Sequence, residues 1–254
     1  MVKKLEQLKL KAYGKILIFT IFFSGVHSVE VIKQNHKEVT LKEGDEVTLT
    51  CTADVEALGC TFRSPGGTSY QMIKDSKYDG GRIQQQTLEP EDCSMVITQI
   101  QESDNGQWEC TVSGKDSQTG DFAVGTENIN VVVAVPPAQV YLQVDGSQVN
   151  GPIELNLDEK KQLMVDCVAT EARPRAEFKW YIGSTELNAN VENREEEGTD
   201  GKMTYISTLE YNAAPKHSGQ MLKCEVNHMG FTMQAIADES NIAQASLDLK
   251  CKIH

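Results

Sequence analysis

Asp104-Asn105-Gly106-Gln107-Trp108-Glu109-Cys110 decides how the first half of this 254-residue chain folds. A small polar turn runs into alternation, so Trp108 and Cys110 share one face of a strand and Gln107 and Glu109 the other. Just under sixty residues upstream, the turn Glu43-Gly44-Asp45 leads into Glu46-Val47-Thr48-Leu49-Thr50-Cys51. Here Val47, Leu49 and Cys51 face one side. Two strands that each turn a cysteine inward, with turn-rich segments between them, suit a bond that crosses between packed sheets. The arrangement recurs in Leu163-Met164-Val165-Asp166-Cys167 and Leu222-Lys223-Cys224-Glu225-Val226, again just under sixty residues apart.

These spacings give an all-β fold class: two tandem immunoglobulin-like β-sandwiches after an N-terminal signal peptide. The expected boundaries are 1–28 for the signal peptide, 29–134 for a V-like first domain and 135–250 for a C2- or I-like second. Residues 251–254 form a C-terminal tail. In the first domain Trp108 takes the place of the corner tyrosine of immunoglobulin sandwiches. The corner hydroxyl is lost, although an indole N–H could substitute for it. The inward tryptophan expected on strand C is also missing there, and Cys60-Thr61-Phe62 occupies its region with Cys60 and Phe62 on one face. The second domain is more regular. Trp180, in Phe178-Lys179-Trp180-Tyr181, falls where a tryptophan packs on the Cys167–Cys224 bond, and Arg173-Pro174-Arg175 reads as the turn before it. Phe62, Trp108 and Trp180 are therefore the expected core aromatics. At the junction, Ile129-Asn130-Val131-Val132-Val133 runs almost directly into Pro136-Pro137, which favours a stiff rod.

Seven cysteines behind a secretory leader imply disulfides with one thiol left over. The pairs expected are Cys51–Cys110, Cys167–Cys224 and Cys60–Cys93, the last because Cys93, Met95 and Ile97 share the inward face of strand E. The alternative for Cys60 and Cys93 is two buried thiols. Cys251 is left unpaired, its partner lying in further sequence or in another molecule.

The leader has Lys3, Lys4, Lys9, Lys11 and Lys15 before the apolar run Ile16–Phe23, then Val26-His27-Ser28 as a cleavage site. That run is short for a membrane span. The formal net charge is −13, and removing residues 1–28 takes five lysines and one glutamate with it, leaving −17. So acidic a chain is a poor match for nucleic acid or an anionic membrane, and its copies repel at long range. No C-x-x-C or His-x-x-x-His occurs, so neither metal nor another cofactor is expected. The acidic segment Glu192–Gly201 lacks the ligand spacing of a calcium loop and reads as a solvated loop. No nucleophile elbow or phosphate loop points to an enzyme or to a small-molecule substrate. No Asn-x-Ser/Thr sequon is present either.

A recognition surface is expected on the C–C′–F–G face of the first domain. Thr61 and Arg63 on strand C, and Gln107, Glu109 and Thr111 on strand F, point outward by alternation. Tyr70 and Met72 on strand C′ are the expected apolar anchors. The bland alternative is that all seven are ordinary solvated sheet residues.

On particular residues the chain resembles the fasciclin III family, arthropod cell-adhesion proteins of the immunoglobulin superfamily. These are the C-x8-C arrangement of Cys51 and Cys60, Arg63-Ser64-Pro65-Gly66, Cys93-Ser94-Met95-Val96-Ile97 and Asn105-Gly106-Gln107. Val132-Val133-Ala134, Trp180-Tyr181-Ile182 and Leu222-Lys223-Cys224 complete the set. The resemblance implies homophilic adhesion, with roles in axon guidance, synaptic target recognition or epithelial junctions. Family members carry a third domain, a transmembrane helix and a cytoplasmic tail, which this sequence does not reach. The expected partner is the protein itself or another immunoglobulin-superfamily ectodomain. The expected location is extracellular: secreted as written, or at the cell surface if more sequence follows. A secreted heterophilic ligand or decoy is the second reading.

Overall fold

Alternating strands separated by glycine-bearing turns can bury their apolar faces only by stacking sheets. The computed structural model does this twice. It describes residues 31–32, 37–54, 56–73, 75–85, 92–115, 120–158, 162–187 and 191–250. The leader and Cys251 lie outside the described residues.

In the first sandwich, β1 (Val31–Ile32), β2 (Glu38–Lys42), β3 (Val47–Leu49) and β4 (Thr52–Ala53) precede β5 (Glu56–Arg63) and β6 (Ser69–Gln71). β7 (Lys77–Tyr78), β8 (Ile83–Gln85) and β9 (Met95–Ile97) follow, then the long β10 (Gly106–Lys115) and β11 (Phe122–Ala134). The front sheet runs β2-β11-β10-β5-β6 and the back sheet β3-β9-β8-β7. β2 joins β11 in parallel, whereas β5, β6 and β10 pair antiparallel. Leu49, Cys51, Phe62, Ile83, Met95, Ile97, Trp108 and Cys110 fill the space between the sheets.

The second sandwich begins with β12 (Gln139–Val144), β13 (Ser147–Gln148), β14 (Ile153–Asn156) and β15 (Gln162–Ala172). Next come β16 (Glu177–Ile182), β17 (Thr185–Leu187), β18 (Val191–Glu197) and β19 (Met203–Asn212). β20 (Met221–Asn227), a short helix α1 (Met233–Ala237) and β21 (Ile242–Lys250) complete it. Its sheets are β13-β12-β15-β19-β18 and β14-β21-β20-β16-β17. Trp180 is buried at the centre and donates its indole N–H to Ser207 Oγ at 3.0 Å.

Three disulfides join Cys51 to Cys110, Cys60 to Cys93 and Cys167 to Cys224. The first two both bridge front and back strands of the first sandwich. The corner before β10 is more elaborate than the sequence suggested. Trp108 donates its indole N–H to the Asp104 carbonyl at 2.9 Å, the role open to it as a stand-in for the tyrosine hydroxyl. The Asp104 carboxylate is buried. It takes the Arg82 guanidinium end-on, through Nη1 and Nη2 at 2.6 and 3.0 Å, and the Gln101 N–H at 2.8 Å.

One reading is corrected here. The acidic segment taken as a solvated loop is largely strand, because β18 pairs with β19 from Val191↔Leu209 to Glu197↔Met203. β18 is an edge strand and all seven of its residues are exposed, so no apolar alternation marks it.

At the junction Val135 and Arg173 exchange two backbone hydrogen bonds, at 2.7 and 2.9 Å. The Arg173 side chain also reaches back to the Val133 carbonyl at 2.9 Å.

Two stability predictions follow from these packings. Replacing both Cys60 and Cys93 by alanine reopens a loop of 33 residues. Chain entropy puts the cost at about 3–4 kcal/mol, readable as a lower denaturant midpoint with native circular dichroism retained in water. Arg82→Leu leaves the Asp104 charge buried without its partner and should cost about 3–5 kcal/mol, whereas Arg63→Leu on the exposed face should cost under about 0.5 kcal/mol.

Candidate adhesive face

Strand register determines which side chains the front sheet shows to solvent. Opposite residues in antiparallel strands share a face, so β10 sets the rows. Glu109 faces Arg63 on β5 and Asn128 on β11; Thr111 faces Thr61 and Thr126, and Ser113 faces Val124. Lys115 stands beside Phe122. Thr111 and Thr126 lie within hydrogen-bond distance through their hydroxyls at 3.2 Å, and Asn130 donates to Glu38 at 2.7 Å where the face meets β2. Thr61, Arg63, Gln107, Glu109 and Thr111 thus stand on one surface, with Arg63 and Gln107 exposed and the other three half-buried.

Tyr70 and Met72 do not join them. Tyr70 pairs with Phe62 and stacks on Trp108 at 6.0 Å between ring centroids, and Met72 is buried. The parity of β6 is the reason: a shift of one residue exchanges the faces of a strand. Gln71, opposite Thr61, faces outward, and the next residue of that parity is Ile73. Ile73 is 57% exposed. The apolar position read at Met72 therefore belongs to Ile73.

Further members of the face went unread. In Phe122-Ala123-Val124-Gly125 the two small residues are buried and the two large apolar ones are exposed, at 62% and 53%. That inversion is the signal: a strand that turns Ala and Gly inward and Phe and Val outward spends its apolar surface on something other than its own core. Leu58, at the bulge of β5, is 58% exposed. Leu58, Ile73, Phe122 and Val124 are all the large hydrophobics exposed in the first sandwich among the described residues, and each lies on the front sheet or at its edge. Two outward rows further along β10, past Thr111 and Thr61, Arg63 and Glu109 stand directly opposite, and neither forms a side-chain hydrogen bond or ion pair among the described residues.

Among the described residues no three His, Cys, Asp or Glu side chains gather as metal ligands, and no helix is long and apolar enough to cross a membrane.

Residues 147–235 match the family of CD80-like C2-set immunoglobulin domains. Over 201 residues the chain is 21% identical to cell adhesion molecule 2 of Xenopus tropicalis, covering 77% of this chain and 42% of that one. It is 22% identical over 190 residues to human cell adhesion molecule 3, covering 74% and 44%. Its homologues are cell-adhesion molecules of the immunoglobulin superfamily. The chain spans less than half the length of these curated relatives. In fold it matches the crystal structure of Rst D1-D2, with a TM-score of 0.61 at 17% identity, covering 88% of this chain and all of that one. It also matches the mouse nectin-like molecule 4 ectodomain Ig1–Ig3, with a TM-score of 0.50 at 19% identity over 85% of this chain and 67% of the other.

If the exposed apolar residues serve binding, their loss should be silent in the free protein. Phe122→Ser is expected to leave the thermal midpoint within about 2 °C, since exposed substitutions cost under about 0.5 kcal/mol. Ala123→Ser, one position along and buried, should lower it; calorimetry on the pair checks the inversion.

Proposed function

We propose that this chain is an extracellular adhesion and recognition ectodomain, and that the front sheet of its first domain binds a second copy of itself. The observation that carries this reading is that all four exposed large hydrophobics of that domain gather at one end of the front sheet, with the Arg63–Glu109 couple two outward rows along the same face. An isologous contact brings the same patch together twice, so residue i meets j and j meets i. A face that carries one cation and one anion side by side satisfies that rule: Arg63 of each copy can meet Glu109 of the other. The local neutrality matters in a chain of net charge −13, whose remaining surface opposes self-contact. The narrower fasciclin III likeness adds axon guidance, synaptic target recognition or epithelial junctions as settings, and belongs to this proposal. The homologues' character as adhesion proteins supports the general role.

The test is bead clustering, without reducing agent, using residues 29–250 on fluorescent beads. Wild-type beads should cluster, and more so as salt rises from about 0.05 to 0.15 M, because shortening the Debye length relieves the acidic repulsion. Arg63→Glu beads and Glu109→Arg beads should each stay dispersed alone yet cluster when mixed, with native melting curves throughout. Dispersed wild-type beads carrying folded protein would replace the homophilic reading with a heterophilic ligand. Clustering that neither variant changes would move the contact off this face.

A further inference from the structure

His228 is the one described histidine buried to 6% exposure, and neither the cores nor the front sheet uses it. It sits in the turn after β20, between two turns that press on the domain junction. Its Nε2 donates to the Pro174 carbonyl at 3.0 Å, and its Nδ1 accepts the Gly230 N–H at 3.0 Å. An N–H is always a donor, so the second bond fixes Nδ1 as the acceptor and the ring as neutral. Phe231 closes over it edge-on at 6.1 Å.

Both partners of the ring bear on the linker. Pro174 follows Arg173, whose backbone pairs with Val135 and whose guanidinium donates to Val133 across the junction at 2.9 Å and to Asp200 at 3.0 Å. Gly230 packs directly against Pro136: a Cβ there would lie 2.8 Å from the proline nitrogen and 3.0 Å from His228 Nδ1. Only glycine fits between ring and linker. Glu102 of the first domain sits over the same junction, with Lys202 at 2.9 Å and Arg173 Nη2 at 3.7 Å from one of its oxygens.

We infer that His228 is an acid-sensitive latch on the angle between the two domains. A proton on Nδ1 sets two donors, Nδ1–H and the Gly230 N–H, against each other at 3.0 Å inside a buried pocket. The turn carrying Gly230 relieves this by moving out, and so leaves Pro136 and frees the junction. The charged groups on the elements around the ring are Arg173 and Arg175 on one turn and Glu177 at the start of β16. Glu102 stands across the junction, and Lys202, of the second domain, is paired with it. Glu177 is already held by the Asn227 amide at 3.2 Å, and Arg173 by the carbonyls named above. Burial pulls the His228 imidazole below its ordinary value, against the opposing hydrogen bond to Pro174. With the folded value depressed, the latch is intact above the unfolded value of about 6.5 and is lost as pH falls toward and through the folded one.

Small-angle scattering of the purified chain at pH 7.5 and 5.0 tests this, with His228→Gln as the partner variant. Glutamine can accept from Gly230 and donate to Pro174 but cannot charge. The expected result is a larger radius of gyration for wild type at pH 5.0, with no change for His228→Gln and unchanged far-ultraviolet circular dichroism in both. An unchanged wild-type profile overturns the latch. An equal response from His228→Gln also overturns it and assigns the effect to groups other than His228. Should the variant fail to fold, ¹H–¹⁵N spectra of wild type decide. The Gly230 and Val135 amides must titrate with one shared midpoint, and separate midpoints overturn the inference.

Discussion

The Cys51–Cys110 bond holds Cys110 on the inner face of β10, and with it the parity of the whole front sheet. In a pleated strand the faces alternate with no intermediate choice, so Trp108 and Val112 go inward with that cysteine while Gln107, Glu109 and Thr111 go out. β10 lies between β5 and β11, and each neighbour inherits its faces through register. Phe62 is thereby directed into the core and Arg63 to solvent. The exposure of Phe122 and Val124 follows from the other side, through their pairing with Lys115 and Ser113. One covalent constraint thus orients both the packing and the face proposed for self-recognition.

The Arg82–Asp104 pair anchors the other end of β10. Burying two charges is costly, and their attraction offsets the cost only when the remaining lone pairs are also satisfied. Here they are: Asp104 takes two guanidinium N–H groups and a backbone N–H, and its own carbonyl receives Trp108. The back sheet, the turn before β10 and the strand itself are therefore tied at one point, and the front sheet cannot slide relative to the back.

What could be read from the sequence follows this physics. Cysteine spacing, the Trp180 position and the turn before Cys110 are local or covalent signals, and they survive without a structure. The role of Arg82 is not legible in the sequence, because burial is not written in a charged residue's identity; only its partner Asp104 reveals it. The inward face of Tyr70 and Met72 is not legible in the sequence, because three strand residues, Ser69–Gln71, give too short a pattern to set parity. The outward half of β11 was overlooked because its alternation is inverted, with glycine and alanine inward. β18 escaped because an edge strand exposed on both faces has no period to read.

That same edge strand narrows where a partner can bind. A free strand edge offers unpaired backbone groups to any extended chain, and proteins close such edges with charge. β18 carries Glu192, Glu195, Glu196 and Glu197, all exposed, with Arg194 turned onto Asp166 at 2.9 Å. Another copy adding a strand there would align acidic residues at β-sheet spacing, where like charges repel most strongly. Edge pairing between copies is therefore disfavoured at this edge of the second domain. The front sheet of the first domain is the opposite case: its inner strands β10 and β5 are paired on both sides, its apolar residues are exposed, and the Arg63–Glu109 charges are balanced. Recognition through side chains on a closed face, rather than through backbone at an open edge, is the route the charge distribution leaves for self-association.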